Sequence, residues 1–208
     1  RPRARGGRGS AQSVPTMRPQ AEAGLPSRVE RPAPGLLVQS LTTQGLAPRE
    51  QYPYWKEAVC GIFVGLDCSR DGHGGFTSTV HRRTVDLDGA GSASFIDVTS
   101  EEQRALRTPR QIRRATDAWI MLAMQTRGPA ILRQGGETAV LGPGDMVLYD
   151  STRPYEFQFD RPFRQLVVKV PHERLAPLLP RTSAWLGRPV GAASPLGQVL
   201  AAHLATVS

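Results

Sequence analysis

The side chains of this 208-residue chain that could hold a metal or move a proton are four histidines, two cysteines and eighteen carboxylates, and their spacing argues against both roles. His73, His81, His172 and His203 fall in a loop, a strand, a helix start and the last helix of the predicted element order, with no pair at ligand spacing. Neither Cys60 nor Cys68 lies in a local motif that would activate a thiolate, and no Gly-x-Ser-x-Gly elbow presents a serine. Asp86 with Asp88, and Glu101 with Glu102, sit in turn-like stretches where solvation accounts for them. The residues therefore predict no catalytic group, no metal site and no cofactor.

Binding chemistry is better represented. Arg82, Arg83, Arg107, Arg110, Arg113 and Arg114 could form a basic face. If Arg110 to Arg114 is a strand, Arg110 and Arg114 point to one side with Ile112. A guanidinium aimed into the fold would hold a carboxylate through two parallel hydrogen bonds, whereas one on a solvated outer face would bind nothing in particular. On the next predicted strand Trp119, Met121 and Ala123 share one face, and Ile120, Leu122 and Met124 the other. Aromatic and Met side chains on an inner face suit an apolar or aromatic ligand, and core filling produces the same pattern. Gln134, Tyr149 and Tyr155 carry polar tips near strand ends and are placed to orient such a ligand. The candidate ligand-binding set is thus Trp119, Met121, Gln134, Tyr149, Tyr155 and Arg110.

The elements that must position this set are short strands. Ala130 to Leu132, Thr138 to Leu141, Met146 to Tyr149, Tyr155 to Phe159 and Gln165 to Val170 are apolar or β-branched runs separated by Gly, Pro and Asp clusters. Gln134-Gly135-Gly136-Glu137 supplies the positive-φ positions of a two-residue hairpin, which sets Ile131 opposite Val140. Gly142-Pro143-Gly144-Asp145 forms a second turn. With no helix between these strands, a sandwich or small barrel is favoured over a βαβ fold.

Upstream, Leu36 to Gln44 is a short apolar, Thr-rich run whose type the pattern leaves open, an arm against the barrel being one reading, and Pro48 to about Leu66 reads as a helix with Pro53 in its first turn and Cys60 on its apolar side. Phe76 to His81 and Ser94 to Val98 are predicted to pair across Asp88-Gly89-Ala90-Gly91, and Glu101 to Arg104 to form a solvated turn. Beyond Pro171 the period becomes helical: His172 to Leu179 is short, and Ser194-Pro195 opens a last helix, Ser as cap and Pro at the first helical position. Leu196, Val199, Leu200, His203, Leu204 and Val207 lie on one side of it, a face that must pair with the barrel or with another subunit.

Composition sets outer bounds. Hydrophobic content of 39% with 21% charged residues is ordinary for a folded domain. The formal charge of +8 is uneven: residues 1 to 35 hold seven Arg against Glu22 and Glu30, a net +5, leaving +3 for the remainder. The basicity is largely a tail property, and it does not by itself make the folded part a nucleic-acid surface. Residues 1–35, rich in Arg, Gly and Pro, cannot bury enough apolar surface to offset the entropy of ordering, so disorder is expected there. No apolar run is long enough to span a bilayer or to act as a secretory signal, and two cysteines make no disulfide framework. A cytoplasmic location, with no membrane partner, is the expectation.

The ordered set of segments resembles a known family. Gly135-Gly136-Glu137-Thr138-Ala139, Leu141-Gly142-Pro143-Gly144-Asp145-Met146-Val147-Leu148-Tyr149-Asp150, Thr152-Arg153-Pro154-Tyr155 and Leu166-Val167-Val168-Lys169-Val170-Pro171 are similar to the ligand-sensing domain of AraC/XylS-type transcriptional regulators. Tyr54-Trp55-Lys56-Glu57-Ala58-Val59 resembles the helix that opens that domain in one subgroup, and the similarity runs from Ala47 to Ser208. It implies a mainly β fold with flanking α, a small antiparallel cupin-like β-barrel (jelly roll) preceded by one helix and followed by dimerisation or linker helices. The expected division is a tail over 1–35, an effector-binding domain over 36–180 and the start of a helical linker over 181–208. Its expected partners are a small-molecule effector, a second copy through Leu196, Val199, Leu200 and Leu204, and operator DNA through a helix-turn-helix module following Ser208. A cupin-like metal-dependent enzyme and a stand-alone small-molecule-binding module remain the alternatives. The position after Gly144 reads Asp145-Met146-Val147-Leu148, without the His that cupin enzymes carry there.

Overall fold

Gly135 and Gly136 adopt φ of 61° and 85°, the pair of left-handed conformations that a two-residue hairpin requires, and the strands on either side pair as predicted, Ile131 opposite Val140. The computed structural model describes residues 27–33, 36–72, 74–87, 91–179 and 184–207. Within them, strands build two antiparallel sheets.

In spatial order the larger sheet contains β1 (Ser27–Ala33), β2 (Leu36–Thr42), β4 (Thr79–Asp86), β5 (Ser92–Ser100), β12 (Phe163–Pro171), β7 (Trp119–Arg127), β10 (Met146–Asp150) and β13 (Pro189–Val190). The smaller contains β3 (Asp67–Ser69), β6 (Gln103–Arg107), β11 (Tyr155–Phe159), β8 (Ala130–Gln134) and β9 (Glu137–Leu141). Because β10, β11 and β12 alternate between the sheets, the chain winds across the gap as a cupin-like jelly roll does. Alternate residues face inward: Tyr155, Phe157 and Phe159 on β11 are buried, as are Phe163, Gln165, Val167 and Lys169 on β12. Helix α1 (Pro48–Ile62) adds Tyr54, Trp55, Val59 and Ile62 to the same core.

Several local expectations need correction. Ser27–Ala33, placed by composition in a disordered tail, is a strand paired with β2; residues 1–26 lie outside the described residues. Because α1 starts at Pro48, Pro53 falls in its second turn and deprives the helix of the bond to the Arg49 carbonyl. Cys60 is exposed, since it lies about 140° round the helix from Trp55, and Cys68 is the buried thiol. β4 begins at Thr79 rather than Phe76; Phe76 is instead pinned in a loop, its N–H donating to Gln51 Oε1 at 2.6 Å and its carbonyl accepting from Thr43 Oγ1 at 2.7 Å. Gln103 and Arg104, expected in a solvated turn, open β6, with Gln103 buried.

The most consequential difference concerns Arg110 to Arg114. Pro109–Arg114 is a helix, α2, not a strand. Thr108 caps it: its Oγ1 accepts from the Gln111 N–H while Gln111 Oε1 accepts from the Thr108 N–H, a reciprocal capping box with Pro at the first helical position. The capping box decides for a helix over the strand reading of this charged run, and Arg110 is left exposed.

After β12 come α3 (His172–Leu175), a single 3-10 turn (Ala176–Leu178) and α4 (Pro195–Val207). Ser194 Oγ accepts from the Gly197 N–H at 3.0 Å, the predicted cap. The barrel takes one stripe of α4: Leu204 is buried, and Leu200 and Ala201 pack with it against Met124, Met146, Leu122, Leu166 and Val168 on the outer face of the large sheet. Both faces of β7 are therefore covered, one by the barrel interior and one by α4. Leu196 and Val199 remain exposed, at 50% and 68%.

Candidate ligand-binding site

The interior is not filled from end to end. A cavity with about 450 Å³ of empty space, counted out to its open mouth, lies between the two sheets and under α1. Helix α1 and the segment after it supply Trp55, Val59, Phe63 and Leu66 as one wall; β6 supplies Gln103 and Ala105. The rest of the lining is largely aromatic and comes from both sheets, Tyr155, Phe157 and Phe159 from β11 beside β6, Tyr149 from β10 and Phe163 from β12. Phe159 stacks on Phe163 with ring centroids 3.6 Å apart and on Phe157 at 5.6 Å, while Tyr149 meets Tyr155 and Phe157 edge to face at 5.1 Å. Such a lining offers flat apolar contact with a few polar groups, the usual build of a small-molecule site.

The polar groups are held in place. Gln103 Oε1 accepts from Trp55 Nε1 at 3.0 Å and its Nε2 donates to Ser100 Oγ at 3.0 Å, fixing the amide orientation. Gln165 Nε2 donates to Gln125 Oε1 at 3.1 Å. Burial raises the Tyr149 and Tyr155 phenols above their ordinary pKa, so both are neutral hydroxyls across the physiological range.

At the tyrosine end the interior becomes cationic. Arg107, paired in register with Tyr155, is almost wholly buried and donates from Nη1 to the Gly65 carbonyl at 2.7 Å and from Nε to the Ser151 carbonyl at 3.3 Å. Lys169 is buried with its ammonium 4.1 Å from the Trp119 ring centroid, donating to the Phe63 carbonyl and, at 3.4 Å, to the Ile62 carbonyl. These carbonyls end α1, where the helix dipole is negative and a cation is favoured. Desolvation, reinforced by Arg82, lowers the Lys169 pKa to about 8.

Of the predicted ligand set, Tyr149 and Tyr155 line the cavity. Met121 is fully buried core. Trp119 lies at the cationic end beneath Lys169. Gln134 is committed to the backbone, its Nε2 donating to the Asp150 carbonyl at 2.8 Å and its Oε1 accepting from the Asp150 N–H at 2.9 Å, so it anchors the end of β10 and binds no ligand through those atoms. Arg110 is remote from the interior, and Arg107, on β6, is the arginine that points inward. Phe157, Phe159 and Phe163, and the part that α1 plays in the cavity, escaped the sequence reading. Phe157 and Phe159 were findable from the alternation of β11, but the contribution of α1 depends on how the helix docks. Among the described residues, no group of three or more His, Cys, Asp or Glu converges to hold a metal.

Comparison with known proteins agrees with this architecture. The crystal structure of the AraC-like transcriptional activator CuxR superposes with a TM-score of 0.67 at 17% identity, covering 81% of this chain and 59% of that one. An uncharacterized protein from the nit 5′ region of Bacillus sp. (strain OxB-1) is 35% identical over 135 residues, which are 65% of this chain and 50% of that protein. The transcriptional activator NphR of Rhodococcus sp. is 31% identical over 83 residues, 40% of this chain and 25% of NphR. The chain thus spans half or less of the length of these two relatives. Residues 55–208 match the AraC-binding-like domain family, from the tryptophan that closes the cavity to the end of the last helix, and the chain belongs to that family.

Proposed function

We propose that this chain is the effector-sensing and dimerisation domain of an AraC/XylS-type DNA-binding transcriptional regulator. The observation that carries the reading is the aromatic cavity closed by α1, which has oriented hydrogen-bonding groups and, among the described residues, no metal-ligand cluster. The domain family and the two activators among its relatives support a regulatory role over a catalytic one. Operator DNA is then bound by a helix-turn-helix module attached beyond α4, with recognition helices in successive major grooves.

The mechanism is linkage. A small molecule that binds one arrangement of α1 and the barrel better than another shifts that equilibrium, and the shift is passed to the arrangement of two subunits and their DNA modules. The exposed stripe of α4, Leu196 and Val199, is the part of the predicted dimer face that remains available.

A thermal-shift screen of the chain in chelator-treated buffer, against organic acids, amines, sugars and nitriles, tests this. A ligand at about a hundred times its dissociation constant contributes roughly 2.7 kcal/mol and raises the melting temperature visibly. Stabilisation by an organic metabolite without metal is expected; stabilisation by divalent metal alone would overturn the reading in favour of a cupin-like enzyme.

A further inference from the structure

The chain has two lysines, and their surroundings are opposite. The side chain of Lys56 is 43% exposed and its ammonium lies 3.9 Å from Asp67, an ordinary surface arrangement. Lys169 is 7% exposed and forms no ion pair among the described residues. It points inward from β12, opposite Ser94 of β5, whose Oγ is 3.0 Å from Thr84 Oγ1 on β4. Two residues before Thr84, Arg82 pairs with the buried Ile96 and so shares that inner face. Of the charged groups that act on Lys169, Arg82 and Arg107 are cations and Asp117 is exposed. Arg82 Nε is buried without a hydrogen-bond partner, and Arg107, from the facing sheet, is 1% exposed. Buried cations are ordinarily paired, and this group of three lacks its anion.

The lysine can itself become that anion. We propose that Lys169 is a carbamylation site: its neutral amine adds dissolved carbon dioxide, and the carbamate formed is stabilised by Arg82 and Arg107. The nitrogen lone pair makes the N–C bond, one C=O π pair moves onto oxygen, and the nitrogen releases one proton to solvent, so no oxidant or leaving group is required. A cation between two guanidinium groups is thereby replaced by an anion between them. Only the unprotonated amine reacts. Burial, reinforced by Arg82, brings the Lys169 pKa to about 8, which leaves a sizeable neutral fraction near neutral pH, against about one part in a thousand for an unperturbed lysine. Arg82 and Trp119 are only partly buried, so this end of the barrel is open enough for a three-atom solute. The addition is also felt at α1. Lys169 Nζ donates to the Phe63 carbonyl and, at 3.4 Å, to the Ile62 carbonyl, whereas a carbamate nitrogen keeps a single hydrogen and leaves one of the two without its donor. Carbamylation thus exchanges a tie to the end of α1 for ion pairs within the barrel, whether or not the aromatic cavity takes an effector.

Trapping of the full chain in bicarbonate buffer with triethyloxonium ion, which ethylates a carbamate oxygen and fixes the adduct, tests the proposal when followed by peptide mass spectrometry. Lys56 in the same digest is the internal reference. Lys169 should carry the ethoxycarbonyl group at more than about tenfold the yield at Lys56, and the two yields should converge in chain unfolded by urea before trapping. Arg82→Gln, shown folded by circular dichroism, should cut the yield at Lys169 by at least about threefold, since it removes a guanidinium from the carbamate and a like charge from the amine. The ratio of Lys169 to Lys56 in the native protein decides the matter even if Arg82→Gln does not fold. No adduct at Lys169, a yield there no greater than at Lys56, or a preference that persists in the unfolded chain would overturn the proposal. A folded Arg82→Gln with the native yield would overturn the pairing on which it rests.

Discussion

Lys169 concentrates much of the chemistry of the interior. Its ammonium is buried, packs over Trp119 and closes the end of α1 through two carbonyls. Burial lowers its pKa to about 8, against an unfolded lysine near 10.4. Between those values the unfolded chain binds more protons than the folded one, so this group's contribution to stability rises with pH from about 8 to about 10 and is flat below 8. The melting temperature of the native protein should therefore climb relative to that of Lys169→Met over that interval; parallel curves would contradict the assignment. Single residues were also where the sequence was hardest to read. Arg107 and Arg110 are alike in type and three positions apart, and only the Thr108 capping box, which ends β6 and starts α2, decides that the first points inward and the second outward. The Thr-x-x-Gln signature stands in the sequence at Thr108 and Gln111, and reading the charged run from Arg110 to Arg114 as a strand passed over it. That Tyr149 and Tyr155 face inward was legible because each lies on a short strand bounded by clear turns, and both line the cavity.

At the scale of elements, the helices differ in how far sequence determines their role. Periodicity was enough to find α1 and α4, yet not what each apolar face meets, because docking depends on surfaces distant in the chain. The last helix illustrates this. Its apolar residues read as a single face, but Leu200 and Leu204 turn to the protein's own sheet while Leu196 and Val199 stay exposed. Leu204→Asp should thus destabilise the fold itself, by at least about 3 kcal/mol in urea unfolding, since it places a carboxylate against Met124 and Met146. Val199→Asp should leave the fold within about 0.5 kcal/mol of its original stability and, if the proposed dimer forms through α4, reduce the mass seen by light scattering from dimer to monomer. A Val199→Asp protein of unchanged dimer mass would remove α4 from the dimer interface. The turns, by contrast, were legible down to their glycines. Gly144 has φ of 89°, and a Cβ there would come within 2.8 Å of Ala192 Cβ, so the Gly-Pro-Gly-Asp turn needs glycine for both its backbone and its contact with the segment leading to α4. Asp145 completes that contact, its two oxygens accepting from the Gly142 and Ala192 N–H groups at 2.9 Å.

At the scale of the whole molecule, the jelly roll follows from strands too short and too closely spaced for anything but antiparallel pairing, with β10, β11 and β12 alternating between sheets. The family and the cupin-like fold were both readable from that ordered set of turns and strands. The cavity was not, because empty space is the difference between two sheets and one helix that no local pattern records. The account's central claim is that this space, and not the outer surface, takes the signal. The most direct test fills it. Ala105 lines the cavity on β6 opposite Phe157, and Ala105→Phe would occupy the place of a ligand ring. Melting temperatures of the native protein and of Ala105→Phe, each titrated in chelator-treated buffer with the best organic ligand from the screen, should show stabilisation of roughly 2.7 kcal/mol at a hundredfold excess over the dissociation constant in the native protein and almost none in the filled variant. An Ala105→Phe protein that folds and is stabilised to the same extent would place the ligand elsewhere and contradict the account.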